Sequence, residues 1–403
     1  MSVGSPTVDL SGAPATFRFA ARVMMQNWCI GNLTLVLPDG REIRLEGDTP
    51  GAEARLVVRD YRFINRVLAT GTIGFGEGYM AGEWDTPDLS RALEVLAANF
   101  ARFEGVSFGN PFMTAINVIG HALKSNSRGG SKRNIHAHYD LGNAFYSRWL
   151  DTSMTYSAAR FARPGEPLPE AQARKYRTLA QTMDLRPGHD VLEIGCGWGG
   201  FAEFAARDVG ANVTAITISE AQYKFAKERI FKEGLNEKAN IQLVDYRDVQ
   251  GSFDRVASIE MFEAVGERYW PTYFDKVRNS LKPGGQAGLQ IITIRDELFD
   301  HYKRTPDFIQ KYIFPGGMLP SEERLKAATD KAGLTWGPIS RFGVCYADTL
   351  AEWARRFEAA WDDITHLGFD ERFRKLWRFY LSYSEAGFRT ERTDVVQLSL
   401  VKA

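Results

Sequence analysis

With 403 residues, of which 44% are hydrophobic and 12% aromatic, the chain is too long for one ordinary core, and two domains are expected. Its 50 Lys and Arg balance 50 Asp and Glu, so it lacks the overall basic charge that marks a nucleic-acid partner. Three scattered cysteines, Cys29, Cys196 and Cys345, argue against a disulfide framework and fit a reducing cytoplasm. The six histidines show no metal-ligand spacing, so no metal is expected. No basic start with a following apolar run suggests a signal peptide, and no apolar stretch reaches the ~18 residues of a membrane span.

Residues 1–15 read as a loose arm. Phe17, Ala20, Ala21, Met24, Met25 and Trp28 recur at helical spacing, which predicts an amphipathic helix. It either packs on its own domain or lies in a membrane interface. Leu33–Leu37, the turn Pro38-Asp39-Gly40 and Arg41–Leu45 spell a β-hairpin. A strand over Ala54–Val58, a helix over Tyr61–Thr70, a loop at glycines 71, 74, 76, 78 and 82, and a helix over Leu89–Phe100 complete a small α+β domain. Lys124–Arg133 is polar, glycine-containing and basic, and reads as a solvated hinge. Close to a charged bilayer, its basic residues would also attract anionic headgroups. His136 and His138 have no third ligand in view, so a structural role is expected.

From Val191 onward the pattern alternates strand and helix. Strands are predicted at Val191–Ile194, Val213–Ile218, Ile241–Val244, Arg255–Ile259 and Leu289–Ile294, with helices from Phe201 and Glu220. This predicts an α/β, Rossmann-like doubly wound sheet with its ligand at the C-terminal strand ends. Gly195, Gly197, Gly199 and Gly200 follow the first strand and open a helix, as a nucleotide crevice requires. Their spacing alone also fits a dinucleotide fingerprint. Glu193 at the strand end would repel a pyrophosphate but suits the ammonium of a methionine. Thr217-Ile218-Ser219 with Gln222 ends the second strand where a dinucleotide fold expects an acidic residue, although Glu220 lies one residue beyond. Asp245-Tyr246-Arg247 and Leu281–Gly285 fall where methyltransferases place an adenine-flanking loop and a turn before a late strand. These neighbours favour S-adenosylmethionine. Cys196 inside the loop is placed with Gly195, Gly197 and Gly199 among the cofactor-binding residues, its side chain reading as a small packing group rather than a nucleophile.

His138–Asn143, Met154–Ser157, the glycine loop, Thr217–Gln222, Asp245–Arg247, Met261–Glu263, Lys311–Pro315 and Leu319–Ser321 form an ordered set of motifs. Over residues 134–403 this set resembles the cyclopropane-fatty-acyl-phospholipid synthase family, and residues 1–120 resemble that family's lipid-associated domain. The resemblance implies a seven-stranded methyltransferase fold with helical insertions over an acyl tunnel. It also implies a phospholipid-borne unsaturated acyl chain as substrate, a homodimer, and a cytoplasmic location on the inner face of the membrane. Carried over, Tyr156, Ser157, Gly195, Gly197, Thr217, Ile218, Gln222, Tyr246 and Arg247 would contact the cofactor. Trp361, Trp377, Phe379, Tyr380 and Tyr383 would line the tunnel or pack helices.

The family holds a bicarbonate ion with a Cys, a Glu, a His and a Tyr. Here Glu263 and Tyr346 retain two of these, while Ala158 and Gln290 replace the Cys and the His. Glu260 is a carboxylate where the family has glycine, and Ala264 stands where it has a second histidine. The substitutions read either as drift, with Gln290 still donating a hydrogen bond, or as an altered anion site. In the second case an extra carboxylate repels bicarbonate and raises a neighbouring carboxyl pKa, which suits proton transfer. A methylated or methylene-bearing chain, such as a branched or furan precursor, then competes with cyclopropane as product. A lipid-binding protein that keeps the fold without catalysis is the alternative from a different class.

Overall fold

The computed structural model describes residues 9–103 and 141–402. The chain divides into two compact units, Met1–Ile119 with Asp370–Thr390, and Gly120–Phe369 with Glu391–Ala403. The expected linker and both histidines of the 136–138 segment lie outside the described residues.

In the first unit, α1 (Ala15–Asn27) buries Phe17, Ala20, Ala21 and Val23 and leaves Phe19 53% exposed. β1 (Ile30–Val36) and β2 (Glu42–Glu46) form the predicted antiparallel hairpin, with Gly40 at φ 86° in its turn. β3 (Thr49–Val58) runs parallel to β1, and β4 (Trp84–Asp85) closes the sheet in the order β2-β1-β3-β4. Alternation turns Leu33, Leu35, Ile43, Leu45, Leu56 and Val58 inward. α2 (Arg62–Thr70) leads into α3 (Thr72–Met80), which occupies the stretch expected as a glycine loop. The glycines let α3 lie against α2: a Cβ at Gly74 would sit 2.1 Å from the Arg66 carbonyl oxygen, and one at Gly78 2.8 Å from Phe63 Cβ. α4 (Leu89–Phe103) carries Asn99, whose buried amide accepts from the backbone N–H groups of Cys29 and Ile30 and donates to Ile30 O.

The helix Glu371–Arg389 belongs to this first unit, a departure from the expected methyltransferase domain of residues 134–403. The reason is packing. Phe379 lies 6.0–6.4 Å from the rings of Tyr79 and Phe75, and Ser90 donates to Glu385 at 2.7 Å. Trp377, Phe379 and Tyr380 are therefore core residues of the first unit.

The second unit is the predicted α/β Rossmann-like fold. β5 (Asp190–Ile194), β6 (Asn212–Thr217), β7 (Ala239–Leu243), β8 (Phe253–Ile259) and β9 (Leu281–Ile294) are parallel. β10 (Leu334–Arg341) and β11 (Thr393–Lys402) complete seven strands ordered β10-β11-β9-β8-β5-β6-β7, with β11 antiparallel to both neighbours. Lys282–Gly285 is a bulge inside β9, because the register jumps from Phe253↔Leu281 to Arg255↔Gln286. One face of the sheet packs α5 (Leu168–Thr182), α6 (Gly200–Phe204) and α7 (Glu220–Lys232). The other packs α8 (Trp270–Ser280) and α9 (Glu322–Lys331), and α10 (Gly343–Ala359) follows β10. The strand order reverses at β5, the switch point beside whose C-terminal end folds of this type bind their ligand.

Candidate active site

Every residue expected to touch the cofactor after Glu193 lies at or just beyond the C-terminal end of β5, β6 or β7. Gly195, Gly197 and Gly199 take φ of 82°, 52° and 83°, the left-handed region where a side chain is strained. A Cβ at Gly195 would lie 2.5 Å from Met261 Cγ, whereas open space surrounds Gly197. The N–H groups of Gly195 and Cys196 both donate to Ile216 O at 2.9–3.0 Å, which pins the loop to β6. Cys196 is buried, and burial pushes its thiol well above the ordinary range, consistent with a packing role.

At the end of β6, the Ser219 hydroxyl caps α7 by accepting from Gln222 N at 3.3 Å. Thr217 accepts from Ser219 N and donates to the Gln222 side chain at 2.9 Å, so both side chains are held in place; Ile218 is the link between them. Past β7, Asp245 grips Arg247 through Nε and Nη2, and the Arg247 guanidinium lies 5.3 Å over the Tyr246 ring. Asp245 therefore shapes this loop through an internal ion pair. Burial lifts the Tyr246 hydroxyl to about 12.

Glu193 is buried on the α5 side of β5. Its Oε2 has no hydrogen-bond partner among the described residues, and burial raises its pKa to about 8. An orphaned buried carboxyl oxygen on the strand that leads into the glycine loop fits a cationic amino-acid moiety, and so fits S-adenosylmethionine. Tyr156 stands in an aromatic wall with Tyr146, Trp149 and Trp353, at ring separations of 5.2–5.6 Å. Tyr146 lies 5.0 Å from Trp198 of the glycine loop, which brings this wall to the crevice.

Opposite the loop, Glu260 follows β8 at φ 48°, a conformation that costs a side-chain-bearing residue about 1–3 kcal/mol. Its Oε1 accepts from the backbone N–H of Ala158 at 2.8 Å and from Gln290 Nε2 at 2.7 Å; its Oε2 accepts from the Tyr346 hydroxyl at 2.9 Å. Burial pushes Glu260 up, and the Lys175 ammonium pulls it down. Ala158, Gln290 and Tyr346, three of the four positions that the resemblance assigns to a bicarbonate ion, thus converge on a carboxylate of the chain itself.

Glu263 stands apart from that group. Its Oε1 accepts from Ile292 N at 2.6 Å, its Oε2 is buried without a partner among the described residues, and burial with the Glu260 charge raises it to about 8. Ala264 is exposed, so that substitution faces away from the pocket.

Two polar residues at this site escaped the sequence reading. Lys175 is fully buried on α5 and donates to Ser157 Oγ at 2.6 Å. Gln397 on β11 donates to Gln290 Oε1 at 2.9 Å, which turns the Gln290 amide nitrogen toward Glu260. The available signal was a polar side chain at a core-facing position: Lys175 shares the stripe of Leu168, Ala171, Gln172 and Leu179, and Gln397 interrupts an apolar strand. Among the described residues no cluster of His, Cys, Asp and Glu can hold a metal, and no helix is long and apolar enough to cross a membrane.

A family model for mycolic acid cyclopropane synthetase matches residues 126–398. The tuberculostearic acid methyltransferase UfaA1 of Mycobacterium tuberculosis is 38% identical over 400 residues, which span 97% of this chain and 92% of its own. The cyclopropane-fatty-acyl-phospholipid synthase of Escherichia coli K12 is 36% identical over 359 residues, 88% of this chain and 89% of its own. Among solved structures, the mycolic acid cyclopropane synthase CmaA1 complexed with SAH and CTAB superposes with a TM-score of 0.64 at 28% identity, covering 67% of this chain and 98% of that one. The chain therefore belongs to the mycolic acid cyclopropane synthetase family and is an S-adenosylmethionine-dependent C-methyltransferase.

Proposed function

We propose that the protein methylates a double-bond carbon of an unsaturated acyl chain of a membrane phospholipid, and that Glu260 is the base that completes the reaction. The observation that carries this reading is the convergence of Ala158 N–H, Gln290 and Tyr346 on the Glu260 carboxylate. The names of the two relatives, one a fatty-acid methyltransferase and one a cyclopropane synthase, support the substrate class. A Phe19 that is exposed on α1 beside exposed Arg22 supports contact with a bilayer surface.

S-adenosylmethionine supplies an electrophilic methyl group: the alkene π pair forms the new C–C bond, the S–C bond breaks with its pair remaining on sulfur, and the chain is left as a carbocation. An alkene is a weak nucleophile, so in-line positioning supplies much of the acceleration. Tyr156, Trp353 and Tyr346, with neighbouring ring centroids 5.2 and 6.0 Å apart, offer faces to the cation. Each such face contributes about 0.5–2 kcal/mol. Glu260 then takes a proton from the chain. If the proton leaves the new methyl group and its bonding pair closes on the cationic carbon, a cyclopropane results. If a 1,2-hydride shift comes first, loss of the same proton gives a methylene-bearing chain.

Bicarbonate does not fit this site, because Glu260 already accepts from the donors that would hold it; no step is routed through that ion. The donor side of the site keeps the family's residues while the base side differs at Ala158, Glu260 and Gln290. This contrast favours the open-chain methylene product over the ring; a saturated methyl branch would need a separate hydride donor to reduce that methylene.

Replacing Glu260 by glycine tests the assignment, since glycine accepts the φ of 48° without strain. The variant is expected to lose about 10²–10⁴-fold in turnover and to recover part of it with added formate, acetate or bicarbonate. Full turnover in Glu260→Gly without any added anion would remove Glu260 from the reaction.

A further inference from the structure

A buried ammonium without a carboxylate in hydrogen-bond contact is costly unless something nearby uses its charge. Lys175 is such a group. Its side chain is 0% exposed, and its Nζ donates to the hydroxyl of Ser157 at 2.6 Å, one residue before the Ala158 N–H that binds Glu260. The Ser157 carbonyl is fixed by Gln172 at 3.0 Å, and the Lys175 carbonyl by Gln397 at 3.1 Å. Gln397 also orients Gln290, so the backbone that carries the ammonium and the amide that binds Glu260 share one support. The Nζ lies 4.5 Å from the Tyr176 ring centre.

We propose that Lys175 is a positioning residue for the proton-removal step: its ammonium, anchored on Ser157, holds the Glu260 carboxylate in the ionised form that can accept a proton. The proposal rests on the assignment of Glu260 as base. The charged groups that face Lys175 are Glu260 after β8, Glu193 on β5 and Asp151 ahead of α5, all of which favour its ammonium. Burial opposes them and brings Lys175 down to about 7, so its charge is balanced against these carboxylates near neutral pH. Glu193 would have a cationic partner of its own in the methionine ammonium of a bound S-adenosylmethionine, which would leave Lys175 to Glu260.

The test is the pH dependence of kcat/KM for Lys175→Met, with the circular dichroism spectrum and melting temperature as the check on folding. Lys175→Gln serves as a second variant that removes the charge but keeps a donor for Ser157. The acid limb, where Glu260 becomes protonated, is expected to move to higher pH by roughly 1–3 units in both variants. Turnover at pH 7 falls accordingly. A uniform loss of rate at every pH with the limb unmoved would overturn the proposal and leave Lys175 a packing residue. Glu260→Gln, run alongside, separates the two levels. If that variant turns over at the wild-type rate, the base assignment itself fails; if it is inactive while the Lys175 variants keep the wild-type limb, only the role of Lys175 fails.

Discussion

Replacing Glu263 by Gln removes a charge while keeping the shape of the side chain. Gln can still accept from Ile292 N–H, but it cannot ionise. In the folded protein the Glu263 carboxyl has a pKa of about 8, because burial and the Glu260 charge both oppose ionisation. In the unfolded chain it titrates near ~4.3. Between these values the folded state holds a proton that the unfolded state has released, so stability present at low pH is lost as the pH rises through about 8. At ~1.4 kcal/mol per pH unit the full window has a ceiling of roughly 5 kcal/mol, and screening at a half-buried side chain reduces it to about 2–3 kcal/mol. Glu263→Gln is therefore expected to raise the melting temperature of the second unit at pH 8.5 by about 4–10 °C, and to leave it nearly unchanged at pH 5. Differential scanning calorimetry of cofactor-free protein at the two pH values measures this. A variant that melts lower than wild type at both would refute the account of Glu263 as a carboxyl forced into an unfavourable site.

Tyr346→Phe removes one of three donors to Glu260 and raises the pKa of the base; its acid limb should move to higher pH, with turnover at neutral pH falling about tenfold or more. Gly195→Ala places a Cβ 2.5 Å from Met261 Cγ at a φ of 82°. It should destabilise the second unit by about 1–3 kcal/mol and weaken cofactor affinity in calorimetry, because the loop must shift off Ile216.

Strand–helix alternation and the glycine loop were legible because they follow local rules: apolar period, positive-φ glycines and strand-end polar residues. Glu260 was legible as an anomaly of composition, a carboxylate beside another carboxylate. Its partners were not, since Ala158, Gln290 and Tyr346 are far apart in sequence and meet only when β8, β9 and α10 are assembled. The helix Glu371–Arg389 has an apolar stripe that would suit either unit; ring contacts with Phe75 and Tyr79 decide for the first. Gly71 and Gly82 do bound the helix at positive φ, but Gly74 and Gly78 were misread because a glycine-rich run usually breaks a helix, whereas at these two positions the packing around α3 demands the absence of Cβ atoms. Lys175 was hidden by its type, since a lysine on a helix is ordinarily solvated.

The most direct test of a built-in base is the bicarbonate dependence of the wild-type enzyme. Purified protein, S-adenosylmethionine carrying a labelled methyl group and vesicles of cis-unsaturated phospholipid would be combined in buffer stripped of carbon dioxide, then titrated with bicarbonate. With Glu260 in the anion site, label enters the acyl chain at the full rate without bicarbonate, and NMR of the lipid shows mainly an open-chain methylene group. Turnover that appears only as bicarbonate is added, with a cyclopropane as the product, would contradict the central claim.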